Sequence, residues 1–74
     1  MNYVIFLNSS MFFGGFLFKG AAAAPYAIKA VNINDAWLFD DRNKCDSFIN
    51  VIREVFPELL FTVLPFKEAL KMAA

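Results

Sequence analysis

The polar side chains best suited to chemistry are concentrated near the middle of the chain. They are two amides and four carboxylates: Asn34, Asp35, Asp40, Asp41, Asn43 and Asp46. A calcium-binding loop needs oxygen ligands at alternate positions, a central glycine and a closing glutamate at the twelfth position. Counted from Asp41, the fifth position is Cys45 and the twelfth is Ile52, so the pattern fails. The sequence favours a helix cap beside a solvated turn, with a carboxylate patch for a basic partner as the alternative.

Covalent and metal chemistry lack their usual residues. The chain has one cysteine and no histidine, so Cys45 has no imidazole to act as its base, and the commonest zinc ligand is missing. Cys45 also lies among the apolar positions of a predicted helix, which indicates a buried core cysteine. We find no catalytic constellation, metal motif or nucleotide-binding loop. The sequence therefore predicts a protein that is not an enzyme and that carries no cofactor or metal.

Direct nucleic-acid binding is not expected. Residues 13–18 alternate aromatic rings in a way that is similar to the base-stacking strand of RNA-recognition motifs, but the spacing differs and no basic residue leads the segment. Seven basic and seven acidic residues give a net charge of zero, so no long-range field attracts phosphate. The aromatic residues are better explained as core and interface.

The clearest element is an amphipathic helix within residues 40–57. Its apolar residues recur at spacings of three, one, three, three and one, which places them on one stripe of a helix: Cys45, Phe48, Ile49, Ile52, Val55 and Phe56. Asp40 or Asp41 can cap the first turn, and Pro57 marks the end. This helix is expected to cover one face of a sheet.

The remaining pattern predicts short strands. They are residues 3–7 and 11–18, which form an N-terminal hairpin with Gly14-Gly15 at a bulge or bend, then residues 26–31 and 59–64. Residues 36–39 favour a brief strand over a helical turn, and residues 66–74 a frayed turn. The fold class is α+β: one domain over residues 1–74, with an antiparallel sheet of three to four strands under one helix in the order β-β-β-α-β.

Surplus apolar surface predicts a protein partner. Hydrophobic residues make up 59% of the chain, both faces of the hairpin are apolar, and only one helix is available to cover them. The second cover is expected to be another copy, giving a homodimer, or a different protein. In the alternative, Trp37, residues 21–25 and the C-terminal turn fold over that face. The candidate protein-binding residues are Phe12, Phe16, Phe18, Trp37, Asp40, Asp41 and Arg42, with core packing as the alternative role for Trp37.

The N-terminal stretch allows a second interpretation. Residues 3–18 are nearly uncharged, and the four alanines before Pro25 are similar to a signal-peptidase site. No Lys or Arg precedes the apolar part, polar residues and glycines interrupt it, and about 15 residues are too few to span a bilayer as a helix. We therefore expect a cytoplasmic protein without membrane association. A secreted or membrane-associated product, cleaved near Ala24, is the alternative if this stretch is a helix.

The layout resembles that of small proteins encoded by bacteriophages and prophages. The resemblance lies in Tyr3-Val4-Ile5 at the start, Asp35-Ala36-Trp37-Leu38-Phe39 before a charged turn and a helix, and Val55-Phe56-Pro57 at the end of that helix before an apolar strand. Proteins of this type include anti-CRISPR and other host-directed inhibitors. The resemblance implies an inhibitor that occludes a surface of a host defence complex or host enzyme, in the cytoplasm of the host cell. A small structural subunit that only self-assembles is the alternative function.

Overall fold

The computed structural model describes residues 2–7, 11–18 and 26–73. Four strands and two α-helices are present in this part of the chain: β1 (Tyr3–Leu7), β2 (Phe12–Phe18), β3 (Tyr26–Val31), α1 (Arg42–Val55), β4 (Phe61–Pro65) and α2 (Phe66–Ala73). A short 3₁₀ turn, Ile33–Asp35, follows β3. The strands form one antiparallel sheet in the order β3-β2-β1-β4. The α+β class is confirmed, whereas the predicted order with a single helix lacks α2.

The two glycines of β2 set the shape of the sheet. The pairing of β2 with β3 shifts register between Phe13 and Phe16, and Gly15 has a φ of 110°, which only glycine adopts without strain. The one extra residue in β2 places Phe13 and Phe16 on the same side of the sheet, where their rings meet edge to face with centroids 5.4 Å apart. The sequence predicted a bulge or a bend at Gly14-Gly15, and the structure has a bulge there.

Helix α1 covers the first face of the sheet, as predicted. Its buried residues are Cys45, Ile49 and Ile52, and Cys45 and Ile49 pack with Ile5, Leu7 and Phe13 of the central strands. Val55 belongs to the predicted apolar stripe but is 67% exposed, because the sheet lies under the Cys45 side of the helix and not under the Val55 side.

The second face of the sheet is covered by the chain itself. Val4 and Phe12 pack there with Ala69 of α2 and Ile33 of the 3₁₀ turn. The expected frayed turn at the C-terminus is instead helix α2, which begins directly after Pro65. A helix of eight residues is marginal in water, but burying Ala69 against the sheet supplies the tertiary packing that isolated peptides lack. Of the alternative cover considered from the sequence, the C-terminal segment lies on this face, Trp37 packs on the α1 face instead, and residues 21–25 lie outside the described residues.

Residues 36–39 lie between β1 and β2 where those two strands diverge, and they form hydrogen bonds with both. The strands pair at Phe6 and Phe12; beyond this pair, the Trp37 N–H donates to the Phe13 carbonyl at 3.0 Å. Phe39 and Tyr3 exchange two backbone hydrogen bonds, at 2.7 and 2.9 Å. The predicted strand is thus reduced to one bridge, because the bulge in β2 leaves room for only a short segment beside Tyr3.

Strand β4 lies at an edge of the sheet. It pairs along its full length with β1, from Tyr3 opposite Pro65 to Leu7 opposite Phe61. Proline has no N–H to donate and is therefore confined to edge strands or strand ends. Pro65 satisfies both conditions here, and its ring turns the chain directly into α2.

The close approach at Gly14 predicts a specific stability effect. A Cβ added there would lie 2.5 Å from Cγ2 of Val31, so Gly14→Ala should lower the free energy of unfolding by about 1–3 kcal/mol. Val31→Ala alone should also destabilise, but the two losses should be less than additive, because the smaller side chain at position 31 makes room for the new methyl group. Urea unfolding of the four proteins in a double-mutant cycle measures this coupling. Strict additivity would contradict it.

The packing of α2 predicts a second effect. Ala69 is 0% exposed, so Ala69→Leu should overpack the contact with Val4 and Phe12 and cost about 1–3 kcal/mol of unfolding free energy. Met72→Leu is the matched control, since Met72 is 55% exposed on the same helix, and it should change stability by less than about 0.5 kcal/mol. Equal effects of the two substitutions in thermal unfolding would show that α2 does not pack on the sheet in solution.

Candidate protein-binding surface

The charged turn before α1 contains the helix cap that the sequence predicts. The Asp41 carboxylate accepts a hydrogen bond from the Asn43 backbone N–H at 2.9 Å. One residue earlier, Asp40 lies 3.0 Å from the Lys44 ammonium. The hydrogen bond and charge of Lys44 lower the pKa of Asp40, and Asp40 in turn raises the pKa of Lys44. Both side chains are largely in water, so the pair adds little to stability and leaves both charges available at the surface.

Trp37 is held in a fixed orientation while half of it stays exposed. Its ring meets Phe13 edge to face at a centroid distance of 5.1 Å, and Phe48 and Phe16 lie 6.3 and 6.4 Å away. A Cβ on Gly15 would lie 3.0 Å from the indole ring, so the glycine allows Trp37 to lie flat against the backbone. The side chain is nevertheless 45% exposed. The core and interface roles considered for Trp37 are thus both compatible with its position.

Trp37 is followed within five residues by exposed side chains of mixed character. Leu38 is 53% exposed, and Asp40, Asp41 and Arg42 are exposed as well. We call the set Trp37, Leu38, Asp40, Asp41 and Arg42 the Trp37 corner. It combines a large aromatic anchor with charges of both signs, which is the composition of many protein contact surfaces.

An apolar groove begins beside this corner. It has a volume of about 430 Å³ and is lined by Phe16, Phe48, Val51, Ile52, Val55 and Phe56, which we call the α1 groove. Phe16 and Phe56 stack at one wall with centroids 6.5 Å apart and an interplanar angle of 23°. Val51 and Val55, one helical turn apart, form an exposed ridge at 64% and 67% exposure. The surface therefore offers apolar contact area without any polar group that must be satisfied.

One of the predicted binding residues, Phe12, does not contribute to this surface. Phe12 is 3% exposed and packs on the α2 side of the sheet, because its position in β2 directs it away from Phe13. The side chain of Phe18 lies outside the described residues. Phe16, Trp37, Asp40, Asp41 and Arg42 are all exposed, with Phe16 at the junction between the Trp37 corner and the α1 groove.

Val51 was missed at the sequence level. The apolar stripe of α1 was defined from Cys45 to Phe56, and Val51 falls one position outside it. Its spacing of four residues from Val55 and three from Phe48 was the available signal, since these three positions share a side of a helix. With Val51 included, the apolar stripe of α1 is wider than contact with one face of a sheet requires. This extra width would have indicated a second, exposed apolar side of the helix.

Cys45 is a core residue, as predicted. Its side chain is 0% exposed, and burial raises the pKa of the thiol to about 11, with the nearby Asp46 carboxylate acting in the same direction. A thiol with this pKa is almost entirely protonated at neutral pH and is a poor nucleophile.

Two further features can be stated for the described part of the chain. It contains no group of three or more metal-ligating side chains placed to hold an ion. Within the same residues, neither helix is long and apolar enough to cross a membrane. The N-terminal stretch forms strands β1 and β2 and not the helix that the signal or membrane alternative requires, while the four alanines of the cleavage-like run lie outside the described residues.

Comparison of the chain with protein-family models, with curated proteins and with solved structures found no match. The proposals below therefore depend on the surface of this structure and on the sequence resemblance alone.

The environment of Cys45 predicts how stability depends on pH. Its folded pKa of about 11 lies above the ordinary value of 9.0, so between these pH values the unfolded chain loses a proton that the folded chain retains. Stability should therefore fall as pH rises from about 9 to 11. The Cys45→Ala variant lacks this thiol. Over the same pH range, its free energy of unfolding should fall by about 1–2 kcal/mol less than that of the wild type.

The measurement is urea unfolding of both proteins at pH 8 and pH 11, since the two proteins differ only at position 45. Parallel pH profiles would contradict the assigned environment. Native Cys45 should also react with iodoacetamide at pH 8 far more slowly than in denaturant.

Proposed function

We propose that the protein is a non-catalytic binding protein that contacts another protein through the Trp37 corner. The observation that carries the proposal is Trp37 itself, which is 45% exposed yet fixed by Phe13 and Gly15. A large aromatic side chain that is already ordered loses little entropy when a partner covers it. Tryptophan and arginine are also the residue types most enriched among those that dominate binding energy.

The charges around Trp37 support specificity. Asp40, Asp41 and Arg42 are exposed beside it, and Asp41 also caps helix α1. Exposed charges contribute more to partner selection and association rate than to affinity. An apolar anchor flanked by charges of both signs suits one defined target.

The class of target follows from the sequence resemblance. Small proteins of the phage and prophage type act on host proteins, so we infer that the partner is a host defence complex or host enzyme whose surface is occluded in the host cytoplasm. Binding without chemistry is sufficient for this role.

Self-assembly as a structural subunit is the second candidate function. The α1 groove favours it, because it is an apolar surface separate from the charged part of the Trp37 corner and has a ridge and a hollow on the same face. In this case the protein would bind only its own copies.

Trp37 provides the test, since it is the only tryptophan in the chain. Adding the target should shift the fluorescence emission of Trp37 to shorter wavelength as the ring leaves water. Trp37→Ala should weaken capture of that target by about 30-fold or more, as expected when a dominant contact residue is truncated. Leu60→Ala is the matched control: Leu60 is 70% exposed outside the corner, and its variant should bind like the wild type.

Far-UV circular dichroism establishes that Trp37→Ala still folds, and Arg42→Glu gives a second test at a fully exposed position. The proposal fails if a captured host protein binds wild type, Trp37→Ala and Arg42→Glu equally. Candidate host proteins for this titration are those of a bacterial lysate that the wild type retains, chosen before either variant is tested.

A further inference from the structure

The backbone hydrogen bonds of β1 determine which groups of β4 point away from the sheet. Tyr3 bonds to Phe39 through both its N–H and its carbonyl, and the Leu7 N–H donates on the same side of the strand. Because backbone groups alternate in direction along a strand, Val4 and Phe6 direct theirs to the other side, toward β4. The hydrogen-bonded pairs between β1 and β4 therefore form at Val4 and Phe6.

The same alternation continues into β4. Thr62 and Leu64 lie opposite the two residues of β1 that point toward β4, so their N–H and carbonyl groups are used within the sheet. Phe61 and Val63 alternate with them and direct their N–H and carbonyl groups to the outer side of β4. No further strand lies on that side in the described part of the chain. We call the outward backbone groups of Phe61 and Val63 the β4 edge.

The β4 edge lacks the charge that commonly protects an edge strand. A lysine on an edge strand disfavours its pairing with a second chain. Strand β3, at the opposite edge of the sheet, contains Lys29, whereas β4 has the uncharged sequence Phe-Thr-Val-Leu-Pro. No residue of β4 is buried, although Val4, Ile5 and Leu7 of the adjacent β1 are. Strand β4 is therefore the edge that is open to another strand.

A second copy of β4 fits this edge in an antiparallel register. When two copies pair about a two-fold axis at Thr62, Phe61 of each copy lies opposite Val63 of the other. Both of these residues point outward, so each of the two pairs can exchange two backbone hydrogen bonds. The β4 edge of one copy then satisfies the β4 edge of the other completely.

Neighbouring registers satisfy fewer backbone groups. An axis at Phe61 would pair Val63 with Leu59, but the Leu59 N–H already donates to the Phe56 carbonyl at 3.3 Å. An axis at Val63 would pair Phe61 with Pro65, which has no N–H. The local structure at the two ends of β4 thus selects the register with Thr62 at the axis.

The side chains that meet in this register are also compatible. On the α1 face, Phe61 would lie beside Val63 of the second copy, and pairs of aromatic and β-branched residues stabilise antiparallel strands. Both side chains already pack against the core under α1, so they need little ordering. On the α2 face, the exposed Thr62 would meet Thr62 of the second copy. Threonine pairs are favourable across antiparallel strands.

We propose that β4 pairs antiparallel with β4 of a second copy of this chain, about a two-fold axis at Thr62, so that two four-stranded sheets become one continuous sheet. A second copy is the occupant because β4 itself supplies an uncharged strand with the matching pattern of outward groups. Trp37 lies beside β2, on the other side of β1. The proposal therefore goes beyond the target binding assigned to the Trp37 corner and does not depend on it.

Sedimentation equilibrium of the untagged chain tests the pairing. The wild type should show a reversible monomer–dimer equilibrium between about 1 and 500 µM. Thr62→Lys should weaken the dimer by at least about tenfold, because like charges would meet at the axis, and Thr62→Glu should do the same. Met72→Lys is the matched control: Met72 is 55% exposed on α2, and its variant should dimerise like the wild type.

Mixing the two charged variants tests the position of the axis. An equimolar mixture of Thr62→Lys and Thr62→Glu should dimerise better than either variant alone, because opposite charges then meet across the strands. Thr62 is exposed, so both variants should keep the circular dichroism spectrum of the wild type. Restoration by mixing is expected only if the two copies meet at this residue.

Amide hydrogen exchange measured by NMR identifies the paired strand. The N–H groups of Phe61 and Val63 should exchange at least about tenfold more slowly in the dimer than in the monomer. The Ala30 N–H is the internal control. Ala30 lies opposite Phe13, whose carbonyl accepts from Trp37 on the far side of β2, so Ala30 points to the outer side of β3. Its exchange rate should not depend on protein concentration.

Three results would overturn the proposal: a monomer at every concentration, a mixture of Thr62→Lys and Thr62→Glu that associates no better than either variant, or protection on dimerisation at Ala30 and not at Phe61 and Val63. The outcome is separable from target binding. Trp37→Ala should keep the dimer mass, and Thr62→Lys should keep binding of a single target, so either proposal can fail while the other holds.

Discussion

The structure depends on the close approach of backbone and side chains at the two glycines of β2. Val31 occupies the space where a side chain at Gly14 would be, and Trp37 lies against Gly15. The positive φ of Gly15 shifts the register with β3 and brings Phe16 to the same face as Phe13. Because β2 bends here, residues 36–39 can enter beside Tyr3. One local backbone conformation thus fixes the position of the aromatic cluster and of the segment that carries Trp37.

The two faces of the sheet are covered unequally. Helix α1 is fourteen residues long and packs through the Cys45 side of its surface, which leaves the Val51 side in water. Helix α2 is eight residues long and buries one alanine. A chain of 74 residues can bury only a limited fraction of its surface, so covering both faces of the sheet leaves some apolar side chains in water. Exposed apolar residues form one surface at α1 and Trp37, and others lie apart from it at Leu60 and on α2 at Leu70 and Met72.

Burial also separates residues that are similar in type. Cys45 and Val55 lie on the same helix and were assigned to one stripe, yet Cys45 has a raised thiol pKa in the core and Val55 stands in water. Phe12 and Phe16 lie in one strand, but Phe12 packs under α2 and Phe16 lines the α1 groove. The surface available to a partner is the part of the apolar set that the two helices do not reach.

Local patterns in the sequence were sufficient for the α+β class, for the hairpin, for α1 with its Asp41 cap and for the core position of Cys45. These features depend on the 3.6-residue and two-residue periods and on residue types, which act over a few neighbours. The edge position of β4, the existence of α2 and the face on which Phe16 lies were decided by tertiary structure. Each depends on contacts between residues far apart in the chain: Pro65 with Tyr3, Ala69 with Phe12, and Val31 with Gly14. Periodicity predicts which residues share a face of a helix or strand, but only packing decides which of them are buried and against what, as the exposure of Val55 shows.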